Sequence, residues 1–172
     1  MTFEKTVTLK DGRNCLLRNG VTSDGKAVLD VFNRTHEETD YLLTYSDENC
    51  FTASQEADFL QRKTDSTNTV EIIAIVDGVV AGTAGIDALG MRDKIKHRAV
   101  FGIAITKEFW GLGIGKSMME ACIECAREAG YLQLELEVVA ENERAVEMYR
   151  RAGFIEYGRN PKAFRLRTGE YQ

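Results

Sequence analysis

Long apolar runs are missing from this chain of 172 residues. The apolar runs that occur, such as residues 72–76, stay far below the roughly 20 residues that a helix needs to span a bilayer. The first 20 residues also lack the apolar core of a secretory signal. We therefore expect no membrane partner and a cytoplasmic location.

Proline is scarce as well, since it occurs once, at Pro161. The chain has no low-complexity tract, linker or internal repeat that would mark a point of division. Apolar residues make up 44% and charged residues 28%, which is ordinary globular usage and argues against a disordered chain or a disulfide scaffold. We predict a single domain over residues 1–172.

Positive charge is in deficit, because 22 Lys and Arg face 27 Asp and Glu, for a net charge of -5. A nucleic-acid partner is therefore not expected, since phosphate binding needs clustered Lys and Arg. Residues 35–61 hold seven acids and neither Lys nor Arg. Tyr41, Tyr45, Phe51 and Phe59 lie in the same stretch, so it suits a cationic amine; a solvated acidic loop is the alternative.

Cysteine and histidine give no sign of a metal site or a disulfide. Without a secretory signal, the four cysteines are expected to stay reduced. Cys122 and Cys125 form C-x-x-C, but they share an apolar helical stripe with Met118, and no second ligand pair accompanies them. His36 and His97 are far apart in sequence. We predict no metal.

The predicted elements alternate between strands and helices. Turn signals at residues 11–12 and 77–78 indicate hairpins. Strands are predicted over residues 6–9, 15–18, 70–76, 79–88, 98–105, 132–139, 154–157 and 163–166. Two helices are predicted to begin near Ser23 or Asp24 and near Thr52 or Ser54. A third begins in the glycine-rich segment 110–116 and ends at Gly130, and a fourth begins at Asn142 and ends at Gly153. This order indicates a mixed α+β (α/β) fold. Residues 168–170 look like a hairpin turn without its return strand, as in a chain cut from a longer one.

The segment WGLGIGK, residues 110–116, leads from a predicted strand into a helix. The start of a helix offers unpaired N–H groups and the positive end of the helix dipole, which together attract anions. Gly111, Gly113 and Gly115 allow a ligand to approach the backbone closely, and Lys116 adds a positive charge. These features favour a diphosphate; glycines that only turn the chain are the alternative.

The glycine spacing disfavours two other nucleotide motifs. The phosphate loop of nucleotide triphosphatases needs G-x-x-x-x-G-K-[ST], which is absent from residues 111–116. A dinucleotide fingerprint needs G-x-G-x-x-G near the start of a parallel sheet, whereas G-x-G-x-G occurs here late in the chain. An NAD-dependent oxidoreductase is therefore disfavoured.

The stretches EFWGLGIGKSMME and LQLELEVVAENERAVEMYRRAGF resemble the GNAT superfamily of N-acetyltransferases. The signature of that superfamily is Q/R-x-x-G-x-G/A, followed by N-x-x-A, a Tyr and G-F. The matching residues are Gly113, Gly115, Asn142, Ala145, Tyr149, Gly153 and Phe154. Trp110 departs from the signature, so the side-chain contact made at that position would differ.

The resemblance implies acetyl-CoA as co-substrate, bound by a central mixed, mostly antiparallel sheet with helices on both faces. The sheet would be splayed between its fourth and fifth strands, here residues 98–105 and 132–139. Backbone groups of Ile103, Ala104 and Ile105 would hold the pantetheine arm. The other implied contacts to acetyl-CoA are Trp110, Gly111, Leu112, Gly113, Ile114, Gly115, Lys116, Asn142 and Tyr149. From the residues alone, Asn142 is equally a helix N-cap.

Acetyl transfer needs a base, because removing a proton at pH 7 from an amine with a pKa near 10.4 costs roughly 4.6 kcal/mol. The resemblance points to Glu137 for this role, with a chain of water molecules as the alternative. Glu137 alternates along its strand as solvated residues also do. Tyr149 would be the general acid that protonates the leaving thiolate, and a core aromatic is its alternative interpretation.

The sequence thus predicts an N-acetyltransferase that moves the acetyl group of acetyl-CoA to a primary amine by direct attack. The acceptor would be a small polyamine-like molecule or a protein amino group, and the residues do not decide between them. An acetyl-CoA sensor without turnover is the alternative function. Since GNAT proteins often pair, a homodimer is a further expectation from the resemblance.

Overall fold

The computed structural model describes residues 1–172 as one six-stranded sheet with four α-helices. The strands are β1 Glu4–Thr8, β2 Asn14–Asn19, β3 Val70–Val76, β4 Val79–Ala88, β5 Arg98–Ile105 and β6 Gln133–Glu135. The helices are α1 Gly25–Glu38, α2 Ala53–Asp65, α3 Ile114–Glu128 and α4 Glu143–Arg151. None of these helices combines the length and apolar composition needed to cross a membrane.

Both predicted hairpins are present. The turn between β1 and β2 contains Gly12 at φ +89°, and the turn between β3 and β4 contains Asp77 and Gly78, both with positive φ. Two successive residues with positive φ match the twist of an antiparallel pair and join it tightly. These turns fix the register of β1 with β2 and of β3 with β4.

Helices cover both faces of the sheet, as the sequence predicted. Alternate residues of β3, such as Val70 and Ile72, pack into a large apolar cluster with Met118 of α3. On the other face, Ile73 packs with side chains of α1 and α2, including Leu60. Side chains alternate between faces along a strand, so one strand supplies both layers.

The sheet is mixed and mostly antiparallel, and it opens at one place. Each neighbouring pair from β1 to β5 is antiparallel, whereas β5 and β6 are parallel. The parallel register covers only the pairs from Arg98↔Gln133 to Val100↔Glu135, and residues 101–105 and 136–139 then diverge. The predicted opening is therefore present. It lies between the fifth and sixth strands and not the fourth and fifth, because the amino-terminal hairpin contributes two strands.

The predictions for the last third of the chain are less accurate. The strand predicted over residues 132–139 is confined to Gln133–Glu135, because after the divergence the remaining residues have no neighbour to pair with. Residues 154–157 are not a strand, and residues 163–166 contribute only the isolated bridge Arg165↔Tyr171. That bridge belongs to a small hairpin around Gly169, in which residues 170–172 return.

The helix ends largely follow the predicted signals. Thr52 caps α2 by accepting a hydrogen bond from Gln55 N–H, and Asn142 caps α4 through Ala145 N–H. Gly130 follows α3 with φ +82°, the left-handed conformation that glycine favours at this position. At α1 the prediction is only half right: Asp24 occupies the capping position, but its side chain bonds to Val21 N–H instead of the helix.

Candidate active site

The β5 wall of the opening presents unpaired backbone groups. Thr106 N–H donates to the Ala81 carbonyl, 3.0 Å away, at the end of the β4–β5 ladder. In an antiparallel ladder, successive residues bond alternately to one side and the other. The even-numbered residues of β5 therefore bond to β4, and the backbone groups of Ile103 and Ile105 face the opening.

This alternation corrects the expectation for Ala104. Its backbone groups bond to Thr83 in β4 and are not free for a pantetheine arm. The carbonyl of Ile105 is also occupied, because the Trp110 indole N–H donates to it at 2.6 Å. The groups that stay unpaired toward the opening are the N–H and the carbonyl of Ile103 and the N–H of Ile105.

The glycine-rich segment ends beside this wall with six consecutive unpaired N–H groups. No protein acceptor is bonded to the amides of residues 111–116, and Ser117 N–H is the first to find one, the Gly113 carbonyl at 3.2 Å. Gly111 and Gly113 have φ +86° and +98°, so the chain turns in a conformation that residues with side chains rarely adopt. Gly113 is the N-cap of α3.

These residues fit the diphosphate of acetyl-CoA. The unpaired amides supply hydrogen-bond donors, and the α3 dipole adds about 1 kcal/mol of attraction for an anion. Gly115 keeps the first turn of α3 close to the opening, because a Cβ atom there would lie 3.2 Å from Met148 Sδ and 3.4 Å from Ile105 Cδ1. The sequence prediction of an anion cradle in this segment thus agrees with the geometry.

Trp110 occupies the position where the GNAT signature has Gln or Arg. Its ring lies 5.4 Å from the Arg144 guanidinium carbon and 5.8 Å from Lys107 Nζ. A cation over the face of an indole is attracted by the ring. Trp110 therefore does not supply a positive charge itself, but it holds Arg144 of α4 beside the glycine-rich segment.

Two cations at this site were missed by sequence reasoning. Arg144 forms no ion pair, and its Nη2 atom lies 3.9 Å from the position of a Cβ atom on Gly111. Lys10 donates its backbone N–H to the Leu112 carbonyl at 3.1 Å, and its side chain passes within 4.0 Å of a Cβ atom on Gly113. Lys116, which was predicted, is 3.6 Å from Glu120 Oε1.

Tyr149 lies in the core between two other aromatic residues. Its ring makes edge contacts with Phe101 of β5, at 6.2 Å between centroids, and with Phe154, at 5.9 Å. The hydroxyl group makes no hydrogen bond to the protein, and burial raises the pKa of Tyr149 to about 12. The ring fits the core-aromatic alternative, while the phenol stays protonated at neutral pH and is free to donate a hydrogen bond.

Asn142 and Glu137 lie on the segment that leads from β6 into α4. The Asn142 side chain accepts a hydrogen bond from Ala145 N–H at 3.3 Å, so it has the N-cap role that was its alternative interpretation. Glu137 is exposed and forms neither a hydrogen bond nor an ion pair. Its neighbour Glu135 is bound by Arg98, with 2.6 Å between Arg98 Nη2 and Glu135 Oε2, and this contact lowers the pKa of Glu135.

The acidic stretch 35–61 already binds a cation from the same chain. The Arg167 guanidinium carbon lies 4.0 Å from the centre of the Tyr45 ring, and its Nη2 atom donates to Asp47 at 2.7 Å. The combination of charge and aromatic face therefore attracts a cation, but at Tyr45 that cation is an arginine of the carboxyl-terminal segment and not a substrate amine.

The cysteines and histidines behave as structural residues. Cys122 and Cys125 are buried on one face of α3, and burial raises the pKa of both thiols, that of Cys125 to about 11. His36 stacks on Phe32 with ring centroids 3.8 Å apart. No group of three His, Cys, Asp or Glu side chains is arranged to hold a metal.

An opened parallel strand pair with an amide-rich helix start beside it suits an elongated ligand that carries a diphosphate, such as the thioester of coenzyme A that the resemblance implies. The model of the Acetyltransferase (GNAT) family matches residues 28–154. The chain belongs to the GNAT family of acetyltransferases and is an enzyme that uses acetyl-CoA.

Individual proteins agree with this assignment. An L-amino acid N-acetyltransferase from Escherichia coli strain K12 is 31% identical over 112 residues, which cover 64% of this chain and 68% of the relative. A GNAT family acetyltransferase from Streptococcus pneumoniae superimposes with a TM-score of 0.86 at 28% identity, covering 91% of this chain and 94% of its own. The putative acetyltransferase yncA from Salmonella typhimurium, solved with its cofactor acetyl-CoA, shares the fold at a TM-score of 0.80 and 15% identity, with 92% and 88% covered.

Proposed function

We propose that this enzyme acetylates a primary amine by direct attack of the amine on the acetyl thioester, with Tyr149 as the general acid. The observation that carries the proposal is the row of six unpaired amides at residues 111–116, beside the unpaired backbone of Ile103 and Ile105. The first group suits a diphosphate, and the second suits the amide-containing arm that links the diphosphate to the thioester. Tyr149 packs against Phe101 at the start of the same opening.

The proposed contacts to acetyl-CoA fall into three groups. Backbone atoms of Ile103 and Ile105 hold the arm, and the amides of residues 111–116 hold the diphosphate. Lys116, Lys10 and Arg144 add positive charge around it, with Arg144 positioned by the Trp110 ring. Asn142 contributes through the start of α4, where its side chain already serves as the cap.

The acceptor is proposed at the level of its chemical class, a primary amine. A small polyamine-like molecule or a protein amino group is the sequence-based proposal. The α-amino group of an L-amino acid is a second candidate, favoured by the 31% identity to an L-amino acid N-acetyltransferase. Glu137 remains the sequence-based candidate for the base, and the cytoplasmic location and the homodimer likewise remain predictions.

A panel of amines tests the function directly. Release of free CoA thiol is followed at steady state with acetyl-CoA and L-amino acids, the amines obtained from them by decarboxylation, polyamines and short peptides. We expect turnover on one of these classes well above the rate without amine. Each L-amino acid and its decarboxylated amine form a matched pair, and a preference for the amino acid would show that the α-carboxylate is recognised.

Calorimetry with acetyl-CoA separates the alternatives. Binding of acetyl-CoA without turnover on any amine would contradict the proposal and favour the sensor. Absence of binding at millimolar acetyl-CoA would contradict both the sensor and the enzyme.

A further inference from the structure

A buried carboxylate lies on the α1/α2 face of the sheet, on a row that leads to the opening. Glu71 of β3 pairs with Gly85 of β4, and Gly85 pairs with Gly102 of β5. Paired residues project to the same face, and Glu71 shares its face with Ile73, which packs under α1 and α2. The row therefore consists of one carboxylate and two residues without side chains.

The two glycines leave space for this carboxylate and for a ligand. A Cβ atom on Gly85 would overlap Glu71 Oε2, so the carboxylate lies directly over that glycine, on the side of β5. A Cβ atom on Gly102 would have no neighbour within 4 Å, so the surface above it is open. Ile103, whose backbone faces the opening, follows directly in sequence.

Helix α2 places two more ionisable groups over the same face. Glu56 and Lys63 are seven residues apart, which is two helical turns, and they are 7% and 5% exposed. Lys63 Nζ is 2.5 Å from Asp87 Oδ1 and 4.0 Å from Glu71 Oε2, and it also donates to the Ile86 carbonyl. The ammonium group of Lys63 is therefore already engaged by Asp87.

Glu56 is the unexplained member of this group. More than nine-tenths of it is buried, yet its carboxylate has no hydrogen bond and no ion pair, and burial raises the pKa of Glu56. Its oxygens still reach solvent, since Gln172 Oε1 is the only enclosed side-chain oxygen without a hydrogen bond. A cation from solution can therefore reach this partly desolvated carboxylate, and it would be stabilised there. Glu56 lies on the same stripe of α2 as Leu60, which packs on Ile73, so it is on the same side of the sheet as Glu71, and its charge raises the pKa of Glu71.

The charges around Glu71 leave a place for one cation. Glu56 from α2 and Asp87 from β4 are negative, and Lys63 is positive. Burial raises the pKa of Glu71 to about 7, while Lys63 opposes the shift and the two acids add to it. At neutral pH, Glu71 can therefore both accept and release a proton.

We propose that Glu56 and Glu71 form the subsite for the ammonium group of the acceptor and that Glu71 takes its proton; this rests on the proposed transfer to an amine. One proton passes from nitrogen to the Glu71 carboxylate, directly or through one water molecule. The freed lone pair forms the C–N bond at the thioester carbonyl, the C–S bond breaks, and sulfur leaves with its electron pair. Tyr149 protonates the sulfur and regains a proton from the second N–H of the new amide nitrogen, and Glu71 returns its proton to the solvent.

This assignment replaces Glu137 as the base. Glu137 is exposed and has no contact that would hold its carboxylate in one place. The Glu71 carboxylate is held between Lys63 and Gly85. Because Gly85 and Gly102 have no side chains, none stands between this carboxylate and the surface above β5.

The test is the pH dependence of kcat/KM for the best amine of the panel, measured by thiol release. The wild-type value should fall on the acidic side as a group with a pKa near 7 becomes protonated. Glu71→Gln should remove this acidic limb and lower kcat/KM by about 10²- to 10⁴-fold, with acetyl-CoA affinity unchanged by calorimetry. Glu71→Asp should retain the limb at a reduced rate. Glu56→Gln should raise the KM of the amine and keep the limb, moved to lower pH because the Glu56 charge that helps raise the pKa of Glu71 is gone.

Asp87→Asn is the matched control, because it removes one negative charge from the same network. Asp87 contacts Lys63, but 62% of its side chain is exposed to solvent. The acidic limb should persist in this variant, at lower pH, because the Asp87 charge also raises the pKa of Glu71. The proposal is overturned if the limb survives Glu71→Gln, or if Glu137→Gln removes it instead. If the wild type binds acetyl-CoA but acetylates no amine, the binding of spermidine to the enzyme–CoA complex is measured by calorimetry. Binding heat that is lost in Glu56→Gln supports the subsite. Absence of binding heat with the wild type overturns it.

Discussion

At the scale of single residues, Tyr149 combines a buried ring with a hydroxyl group that has no partner in the protein. If the phenol protonates the leaving thiolate, Tyr149→Phe removes the proton donor and keeps the packing. We expect turnover to fall by about 10²-fold or more in steady-state thiol release. The affinity for acetyl-CoA should stay the same by calorimetry.

Tyr131→Phe is the control for this substitution. The Tyr131 hydroxyl donates to the Asn68 carbonyl at 2.9 Å, and Tyr131 is not among the proposed contacts to acetyl-CoA. Its loss should cost about 1 kcal/mol of stability and leave the rate alone. A Tyr149→Phe variant as active as Tyr131→Phe would remove Tyr149 as the acid.

The sequence predicted those site residues whose role depends on local chain geometry. The glycines and the cap at Asn142 act through neighbouring backbone, so their spacing was sufficient. Lys10 and Arg144 come from the first hairpin and the last helix, and only tertiary packing brings them to residues 111–116. Glu71 interrupts an otherwise apolar strand, and that single break was the only sign of its role.

At the scale of elements, the start of α3 carries the binding of the diphosphate. Gly113 has φ +98°, and an alanine in this conformation costs about 1–2 kcal/mol. Gly113→Ala should therefore weaken acetyl-CoA binding, because relief of the strain turns the unpaired amides away from their common target. Calorimetry at fixed temperature measures this loss.

Gly130→Ala provides a comparison at the other end of the same helix. Gly130 also has positive φ, +82°, and a Cβ atom there would meet nothing within 4 Å. Both substitutions should lower the melting temperature similarly, yet only Gly113→Ala should change the dissociation constant. Equal binding by the two variants would contradict the role of the α3 amino terminus.

The elements that the sequence predicted well are those with their own start and stop signals. The capped helices and the two tight hairpins are of this kind. The strand expected over residues 132–139 depended on a partner, and β5 turns away after three paired residues. Alternation along the chain reports which faces are apolar, but it cannot report where a neighbouring strand ends.

At the scale of the whole molecule, Glu71 links folding to pH. Burial raises its pKa from 4.5 to about 7 in the folded state, so the proton is bound more tightly there than in the unfolded chain. The resulting stability is fully present below pH 4.5 and is lost as the pH rises through 7. The loss is at most about 3 kcal/mol, because the Glu71 side chain keeps 16% of its surface exposed.

Urea unfolding of the wild type and Glu71→Gln across this pH range isolates the effect. The free energy of unfolding of the wild type should decline relative to the variant as the pH rises, since glutamine does not titrate. Groups such as Glu135, whose pKa is lowered by Arg98, respond in the opposite direction but are common to both proteins. A pH-independent difference between the two curves would show that Glu71 titrates alike in the folded and unfolded chain.

The divergence of β5 and β6 also bears on whether the unpaired groups of β5 can pair with a strand of another copy. Unpaired strand borders recruit strands of other copies and so promote aggregation. Here the unpaired groups of Ile103 and Ile105 lie in a wedge between two strands of one chain, and a flat strand from another copy finds no continuous border there. The unpaired backbone groups in this wedge can therefore bind an elongated ligand, while strands of other copies cannot pair with them.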